Sequence, residues 1–177
     1  MSEGVIRWGI LGTANIVRKN WLAILDSGNA TVGAVASRDL ERCQRLIAEC
    51  QAQRPVNPAP SAYGSYEELL ADASIAAVYV PLPTAVRKEW ILKSARAGKH
   101  VLCEKPCALS LADLEEMTEA CRRHGVLFMD GVMFSHSRRL SAVREILDDG
   151  TTVGAVRRIV CSFSVPIAEA QPGTTSA

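Results

Sequence analysis

Three short segments carry the residues whose types could do chemistry, and each of them follows an apolar run of strand length. They are Gly12-Thr13-Ala14-Asn15-Ile16, Pro81-Leu82-Pro83 and Cys103-Glu104-Lys105-Pro106. Small residues between a strand and a helix let backbone N–H groups approach a phosphate. An amine and a carboxylate at the end of a strand could move a proton. By its spacing alone, however, the third segment indicates only a charged turn.

The first segment matches the dinucleotide-binding pattern G-x-G-x-x-G only in part. Gly12 supplies the first glycine, whereas Ala14 and Val17 replace the second and the third. A single glycine in such a turn also occurs without any ligand. Because this turn follows the first strand of a βαβ series, we expect the backbone of residues 12–16 to bind a phosphate.

The end of the second expected strand bears on the choice between NAD and NADP. A carboxylate there accepts hydrogen bonds from the ribose hydroxyls of NAD, whereas an arginine holds the 2′-phosphate of NADP. Ser37 stands where the acid would be, and Arg38 offers a planar fork to a phosphate. NADP is therefore favoured over NAD. Two alternatives stay open: Ser37 could cap the next helix with Arg38 exposed in its first turn, or Asp39 could face the ribose.

The two later segments are expected to face one crevice. Ligands of doubly wound sheets bind outside the carboxyl ends of the strands, and both segments directly follow a strand. Pro81 and Pro83 fix φ and could form a stiff wall for a flat ring, with Leu82 between them. Taken alone, this turn is also explained by Thr84 capping the following helix.

The order of apolar patterns predicts how these segments are held. Runs of strand length alternate with segments of helical period, which predicts a Rossmann-type doubly wound parallel sheet with helices on both faces. Helix starts are expected at Ser65, which lies three positions before Glu68, and at Ser110. Strands are expected at residues 5–11, 31–37, 76–80, 100–103 and 126–129, with a brief strand at 62–63.

The sequence predicts one complete domain and part of another. We expect an NAD(P)-binding domain over residues 1–130, a linker helix and the start of a substrate domain over 131–164, and a flexible tail over 165–177. The segment AVRRIVCSFSV is expected to form the first strand of this truncated α+β domain. Such a strand would have nothing after it to pair with.

Composition excludes several classes of partner. The 20 basic and 19 acidic residues leave a net charge of +1, which provides no field to attract nucleic acid. The six cysteines lack the paired CxxC spacing of a zinc site, so no metal is expected and reduced thiols indicate a cytoplasmic location. No apolar run approaches 18 residues, and no membrane span is expected.

Six motifs occur in the order and at the spacing of one known family: WGILGTANI, VASRDLER, YGSYEELLAD, VYVPLPT, AGKHVLCEKP and MDGVMF. Over residues 4–164 the chain resembles the glucose-fructose oxidoreductase/inositol dehydrogenase/MocA-like family, above all its NADP-dependent dihydrodiol and D-xylose dehydrogenases. The resemblance implies an NAD(P)-dependent oxidoreductase acting on sugars, polyols or cyclic diols. It also implies that Lys105 lies by the nicotinamide and assists proton transfer at the substrate, with Glu104 and Pro106 shaping its turn.

The sequence departs from the family pattern in two ways. Arg87 stands where the family often has a histidine, which leaves the role of this position open. The family's second domain, an antiparallel sheet that contacts substrate and commonly mediates dimerisation, is represented by one expected strand, so a homo-oligomer is doubtful. His136 is interpreted as structural.

The alternative to an oxidoreductase is a non-catalytic NADP-binding module or an inactive fragment. An S-adenosylmethionine site is disfavoured by Ser37 and Arg38.

Overall fold

Six parallel strands form one sheet in the order β3-β2-β1-β4-β5-β6. The chain is described from a computed structural model, which covers residues 4–162 and residue 164. The strands are β1 (Ile6–Leu11), β2 (Ala30–Ala36), β3 (Ser61–Tyr63), β4 (Ala77–Val80), β5 (His100–Cys103) and β6 (Phe128–Asp130). From β1 the sheet continues through β2 to β3 at one edge, and from β4 it continues through β5 to β6 at the other edge. This reversal confirms the predicted doubly wound fold and places its switch point between β1 and β4.

Five α-helices connect the strands of this sheet. They are α1 (Ile16–Asp26), α2 (Leu40–Gln53), α3 (Tyr66–Ala71), α4 (Thr84–Arg96) and α5 (Leu111–Arg123). Two of the expected helix starts are confirmed, because Ser65 accepts from the backbone N–H of Glu68 and Ser110 from that of Asp113. Each of these bonds satisfies a donor that the first helical turn leaves without an intrahelical partner.

The core lies on both faces of the sheet. One face packs β-strand side chains against residues such as Leu69, Ile91 and Met117 of α3, α4 and α5. The other packs them against Val17, Trp21 and Leu46 of α1 and α2. Strand β4 is buried along its whole length, as its unbroken apolar sequence predicts for a central parallel strand. The rigid sheet therefore fixes the positions of the turns that follow β1, β4 and β5.

Residues up to Val132 and residues from Met133 form two separate units. In the second unit, a 3₁₀ turn (Met133–His136) precedes helix α6 (Arg138–Asp148), which lies within the region 131–164 where a linker helix is expected. The strand expected in AVRRIVCSFSV is not formed in its described part, residues 155–162. A strand needs a neighbour to complete its hydrogen bonds, and no described strand pairs with this segment. The predicted tail over 165–177 lies outside the described residues, and the assignment of this unit to a substrate domain stays a prediction.

Candidate cofactor and active site

The three segments selected from the sequence lie at the same edge of the sheet. Gly12 follows β1, Pro81 follows β4 and Glu104 follows β5, and these three strands are neighbours. Val80 is paired with Cys103, so β4 and β5 end at the same level. Parallel strands present their carboxyl ends on one side, where doubly wound folds bind ligands. The predicted convergence of the glycine turn, the proline turn and the lysine turn is therefore observed.

Gly12 brings the first two of these turns into close contact. Its φ is 106°, a conformation that L side chains rarely adopt. A Cβ at this position would lie 2.9 Å from Cδ2 of Leu82, which is buried in the proline turn. The Gly12 N–H donates to Ala36 O at 2.8 Å and so links the turn to β2. Only glycine fits here, because any side chain would combine an unfavourable φ with a clash against Leu82.

The start of α1 forms one wall of a polar cavity. Its N-cap residue, Asn15, makes no side-chain capping bond, and the first turn contains no acidic residue. The positive end of the helix dipole is therefore available to an anion. Thr13 and Asn15 line a cavity of about 240 Å³ together with side chains of α1 and α2, namely Arg18, Arg42, Arg45, Leu46 and Glu49. Ala14 and Ile16 complete the turn, with Ala14 O accepting from the Val17 N–H at 3.0 Å.

The residue that caps α2, after β2, is not the one considered as an alternative in the sequence analysis. Asp39, not Ser37, caps α2, since the Asp39 carboxylate accepts from the Arg42 N–H at 2.9 Å. Ser37 is buried, and its hydroxyl accepts from the Asp39 N–H at 3.2 Å. The interpretation of Ser37 as the helix cap is therefore wrong. Arg38 and Asp39 are both exposed, and the Asp39 carboxylate is already bonded to the helix end.

Arg38 lies near Tyr66, the first residue of α3. Burial raises the pKa of the Tyr66 phenol, and the nearby guanidinium groups of Arg38 and Arg42 oppose that shift. The Tyr66 oxygen lies 3.9 Å from where a Cβ of Gly12 would stand. Sequence analysis assigned Tyr66 no role, because its spacing is that of an ordinary apolar helix position. The arginine therefore lies beside the candidate phosphate site.

The carboxylate of Glu104 is held by two donors in the lysine turn. Tyr79 donates its hydroxyl to Oε1 at 2.7 Å, and the backbone N–H of Lys105 donates to Oε2 at 3.1 Å. Burial raises the pKa of Tyr79, and the neighbouring carboxylate of Glu104 acts in the same direction. Glu104 thus contacts the backbone of Lys105, while the lysine side chain is exposed to solvent. The Lys105–Pro106 peptide bond is cis.

The proline turn differs in one respect from the expected stiff surface against which a flat ring could lie. Pro81 and Leu82 are buried and only Pro83 is exposed, so a ligand can reach the third residue but not the first two side chains. The alternative in which Thr84 caps α4 is also wrong. The N-cap of α4 is Pro83, and Thr84 is already the first helical residue.

Arg87 is a polar residue of this region that sequence analysis left without a role. It is 6% exposed and belongs to the buried face of α4 with Ile91 and Ala95. Its guanidinium donates from Nε to Leu82 O, and from Nη1 to Glu104 O at 2.7 Å and to Pro106 O. The i, i+4, i+8 spacing of Arg87, Ile91 and Ala95 was the signal that could have identified it.

The histidines and the acidic groups add no metal site to the described part of the chain. His100 Nδ1 accepts from the Leu127 N–H at 2.9 Å, which is a structural contact between β5 and the residues before β6. His136 is exposed and belongs to the second unit. Within residues 4–162, no group of three or more metal-ligating side chains comes together. None of the helices described there has the length and hydropathy needed to cross a bilayer.

The chain is similar to several known oxidoreductases. Residues 6–132 match the family model described as "Oxidoreductase family, NAD-binding Rossmann fold". A dTDP-3,4-didehydro-2,6-dideoxy-alpha-D-glucose 3-reductase from Actinomadura kijaniata is 36% identical over 162 residues, which are 91% of this chain and 46% of that protein. A D-xylose 1-dehydrogenase (NADP(+)) from Haloferax volcanii is 35% identical over 157 residues, or 89% of this chain and 46% of that protein.

A solved structure is similar over the same region. It is the open conformation of a 3-ketoreductase from Actinomadura kijaniata in complex with TDP-benzene and NADP, with a TM-score of 0.72 and 34% identity. The match covers 82% of this chain and 44% of that one. The chain thus spans less than half the length of the relatives it matches. On the strength of its fold, its three turns and the match over residues 6–132, the chain belongs to the Gfo/Idh/MocA oxidoreductase family.

Proposed function

We propose that the chain binds NADP and carries the proton-transfer lysine of an oxidoreductase acting on a sugar, polyol or cyclic diol. The observation that supports this most is the convergence of the glycine, proline and lysine turns at the carboxyl ends of β1, β4 and β5. A dinucleotide spans such a switch point from one strand end to the next. When bound, NADP would donate or accept hydride.

The residues present fit such a cofactor. The small residues between β1 and α1 leave their backbone N–H groups accessible, and the uncapped start of α1 suits a pyrophosphate. The backbone of residues 12–16 would hold the phosphates, with Pro83 and the lysine turn toward the nicotinamide. The proline turn would orient that ring through its fixed backbone.

NADP is proposed rather than NAD because of the residues after β2. Ser37 stands where an acid would contact the ribose of NAD, and the adjacent Asp39 caps α2. Arg38 is exposed and lies beside Tyr66 near the glycine turn. A planar guanidinium can bind the 2′-phosphate through two hydrogen bonds. Relatives named for NADP agree with this choice.

Lys105 would perform the proton transfer. In its neutral form, Nζ would accept the hydroxyl proton of the alcohol during oxidation and return it to the carbonyl oxygen during reduction. The Glu104 carboxylate is held by Tyr79 and by the Lys105 backbone N–H, so it fixes the turn and leaves the amine exposed. Relatives named as a sugar reductase and a sugar dehydrogenase support a hydroxyl or carbonyl of a carbohydrate as the substrate group.

The test is a fluorescence titration with NADPH, followed by assays of NADP-dependent oxidation on a panel of sugars, polyols and cyclic diols. Saturable binding together with turnover of a panel member is expected for the oxidoreductase. Binding without turnover would favour the second candidate, a non-catalytic NADP-binding module. That candidate is kept because the described residues after Val132 contribute one α-helix and no strand. Absence of binding would contradict both.

A further inference from the structure

Arg87 is a buried cation bound by backbone oxygens. Only 6% of the residue is exposed, and no ion pair within 4.0 Å involves it in the part of the chain that the structure describes. A buried charge is costly unless it is fully hydrogen-bonded. Within the described residues, Arg87 donates three hydrogen bonds, all to carbonyl oxygens, those of Leu82, Glu104 and Pro106. These contacts are therefore what makes the burial of this charge tolerable.

The three carbonyls belong to two different turns of the candidate site. Leu82 lies in the proline turn after β4, and Glu104 and Pro106 flank Lys105 in the turn after β5. A planar guanidinium presents several N–H donors in fixed directions, so one side chain can hold both turns at a set separation. An apolar residue at this position would fill the space without joining the turns.

The lysine turn is also held through the side chain of Glu104. Its carboxylate accepts from the Tyr79 hydroxyl at 2.7 Å and from the Lys105 N–H at 3.1 Å. Together with the bonds from Arg87, these contacts fix the backbone directly before and after Lys105. The lysine side chain itself stays exposed. The turn is therefore fixed around the residue that the proposed function assigns to proton transfer.

We propose that Arg87 is a positioning residue that sets where the lysine turn stands relative to the proline turn, and hence where Lys105 meets the nicotinamide end of the cofactor. This inference rests on the proposed function. It assigns Arg87 no contact with substrate or cofactor. Its effect should be confined to ligands that reach the nicotinamide end, because its hydrogen bonds join only the turns after β4 and β5.

The experiment compares two ligands in Arg87→Met and in wild type. NADPH extends from the 2′-phosphate to the nicotinamide, whereas adenosine 2′,5′-bisphosphate contains only the adenosine and 2′-phosphate part. We expect Arg87→Met to weaken NADPH about tenfold, which corresponds to about 1.4 kcal/mol, and to leave the bisphosphate unchanged. Lys88→Met is the matched control: it removes a cation from the same helix, and its partners are Asp113 and Glu116 rather than the two turns.

Amide hydrogen exchange measured by NMR supplies a second readout. In Arg87→Met the Lys105 and Glu104 amides should exchange at least about tenfold faster, because the turn opens more often. The Gly12 amide, which donates to Ala36 O at 2.8 Å, should keep its protection. A role in overall stability alone would raise exchange at all three amides. If Arg87→Met does not fold, both measurements use Arg87→Lys, which keeps the positive charge but lacks the planar guanidinium and its several N–H donors.

The outcomes separate this inference from the proposed function. If wild type binds neither ligand, the proposed function fails. If wild type binds both, and the Arg87 variant loses both equally or loses neither, Arg87 is not a positioning residue. Added methylguanidinium should restore NADPH binding to Arg87→Met and not alter Lys88→Met. Failure of rescue combined with uniform loss of amide protection would assign Arg87 to overall stability and overturn the inference.

Discussion

At the scale of single residues, Lys105 carries the chemical part of the proposed function. Its side chain is exposed after β5, and its backbone is fixed by Glu104 and Arg87. We expect Lys105→Met to retain NADPH binding and to lower turnover of a responding alcohol by roughly 10²–10⁴-fold, the usual contribution of a general base. Steady-state kinetics and NADPH titration measure the two effects. Wild-type turnover in Lys105→Met would contradict the assignment, and Lys88→Met is the control.

Arg38 decides between the two nicotinamide cofactors in this account. Replacing it by alanine removes hydrogen bonds to a charged phosphate, worth roughly 1.5–3 kcal/mol, or about 10–100-fold in affinity. Arg38→Ala should therefore weaken NADPH by about that factor and leave NADH nearly unchanged, as measured by paired fluorescence titrations. Arg96→Ala, an exposed position at the far end of α4, should affect neither cofactor. Equal losses for both cofactors would show that Arg38 is only a surface residue.

At the scale of elements, the turn between β1 and α1 depends on glycine. Gly12→Ala meets an unfavourable φ of 106° and a contact of 2.9 Å with Leu82, so a loss of stability of at least roughly 1–3 kcal/mol is expected. NADPH binding should fall as well, because the clash with Leu82 displaces the turn whose backbone is proposed to bind the phosphates. Urea unfolding and cofactor titration measure both changes.

Gly28 provides the matched control for this substitution. It also has a positive φ, 75°, but a Cβ there would have no heavy atom within 4 Å, and it lies before β2 at the opposite edge of the sheet. Gly28→Ala should therefore lower stability through its backbone alone and retain NADPH affinity. Equal loss of NADPH binding in the two variants would show that the Gly12 turn has no special place in the cofactor site.

The strands and helices of the sheet could be predicted from the sequence, because apolar runs and capping serines are local signals. The bounds of β6 differ from the prediction: the apolar run predicts a strand over residues 126–129, whereas the strand is Phe128–Asp130. The strand expected in AVRRIVCSFSV failed for a different reason. A strand depends on a partner that local sequence does not specify, and residues 155–162 have none in the described part of the chain.

The part of the candidate site that the sequence could predict is the set of turns at the carboxyl ends of the strands. The convergence of the turns at Gly12, Pro81 and Glu104 follows from parallel topology, which the βαβ pattern indicates. The hydrogen bonds of Arg87 and the contact between Arg38 and Tyr66 were not predicted. They join residues that are distant in sequence. The spacing of Arg87 with Ile91 and Ala95 indicates a buried position, but it does not specify the atoms that the guanidinium contacts. Contacts of this kind depend on packing and require coordinates.

At the scale of the whole molecule, the burial of the thiols can be tested directly. Burial raises the pKa of Cys43 to about 11 and that of Cys103 to about 12, so both thiols stay protonated near neutral pH. Alkylation of the native protein at pH 8 should label the exposed Cys161 first and these two last. All six cysteines should react in denaturant. Labelling Cys103 as fast as Cys161 in the native protein would contradict the packing of β5.

The chain accounts for the cofactor domain of its family and for less than half of its relatives' length. The residues proposed to hold NADP all lie before Val132, within one unit. The substrate contacts of the whole protein are not specified by these residues. NADP binding is therefore the property that this unit should show most directly, whatever the substrate of the whole protein proves to be.

The most direct test of the central claim is the binding of NADPH and NADH to the wild-type chain, measured side by side by fluorescence and repeated with adenosine 2′,5′-bisphosphate as competitor. The account predicts saturable binding of NADPH at one site, displacement by the bisphosphate, and at least about tenfold weaker binding of NADH. Absence of NADPH binding by the folded protein would contradict the assignment of the glycine, proline and lysine turns to a cofactor site.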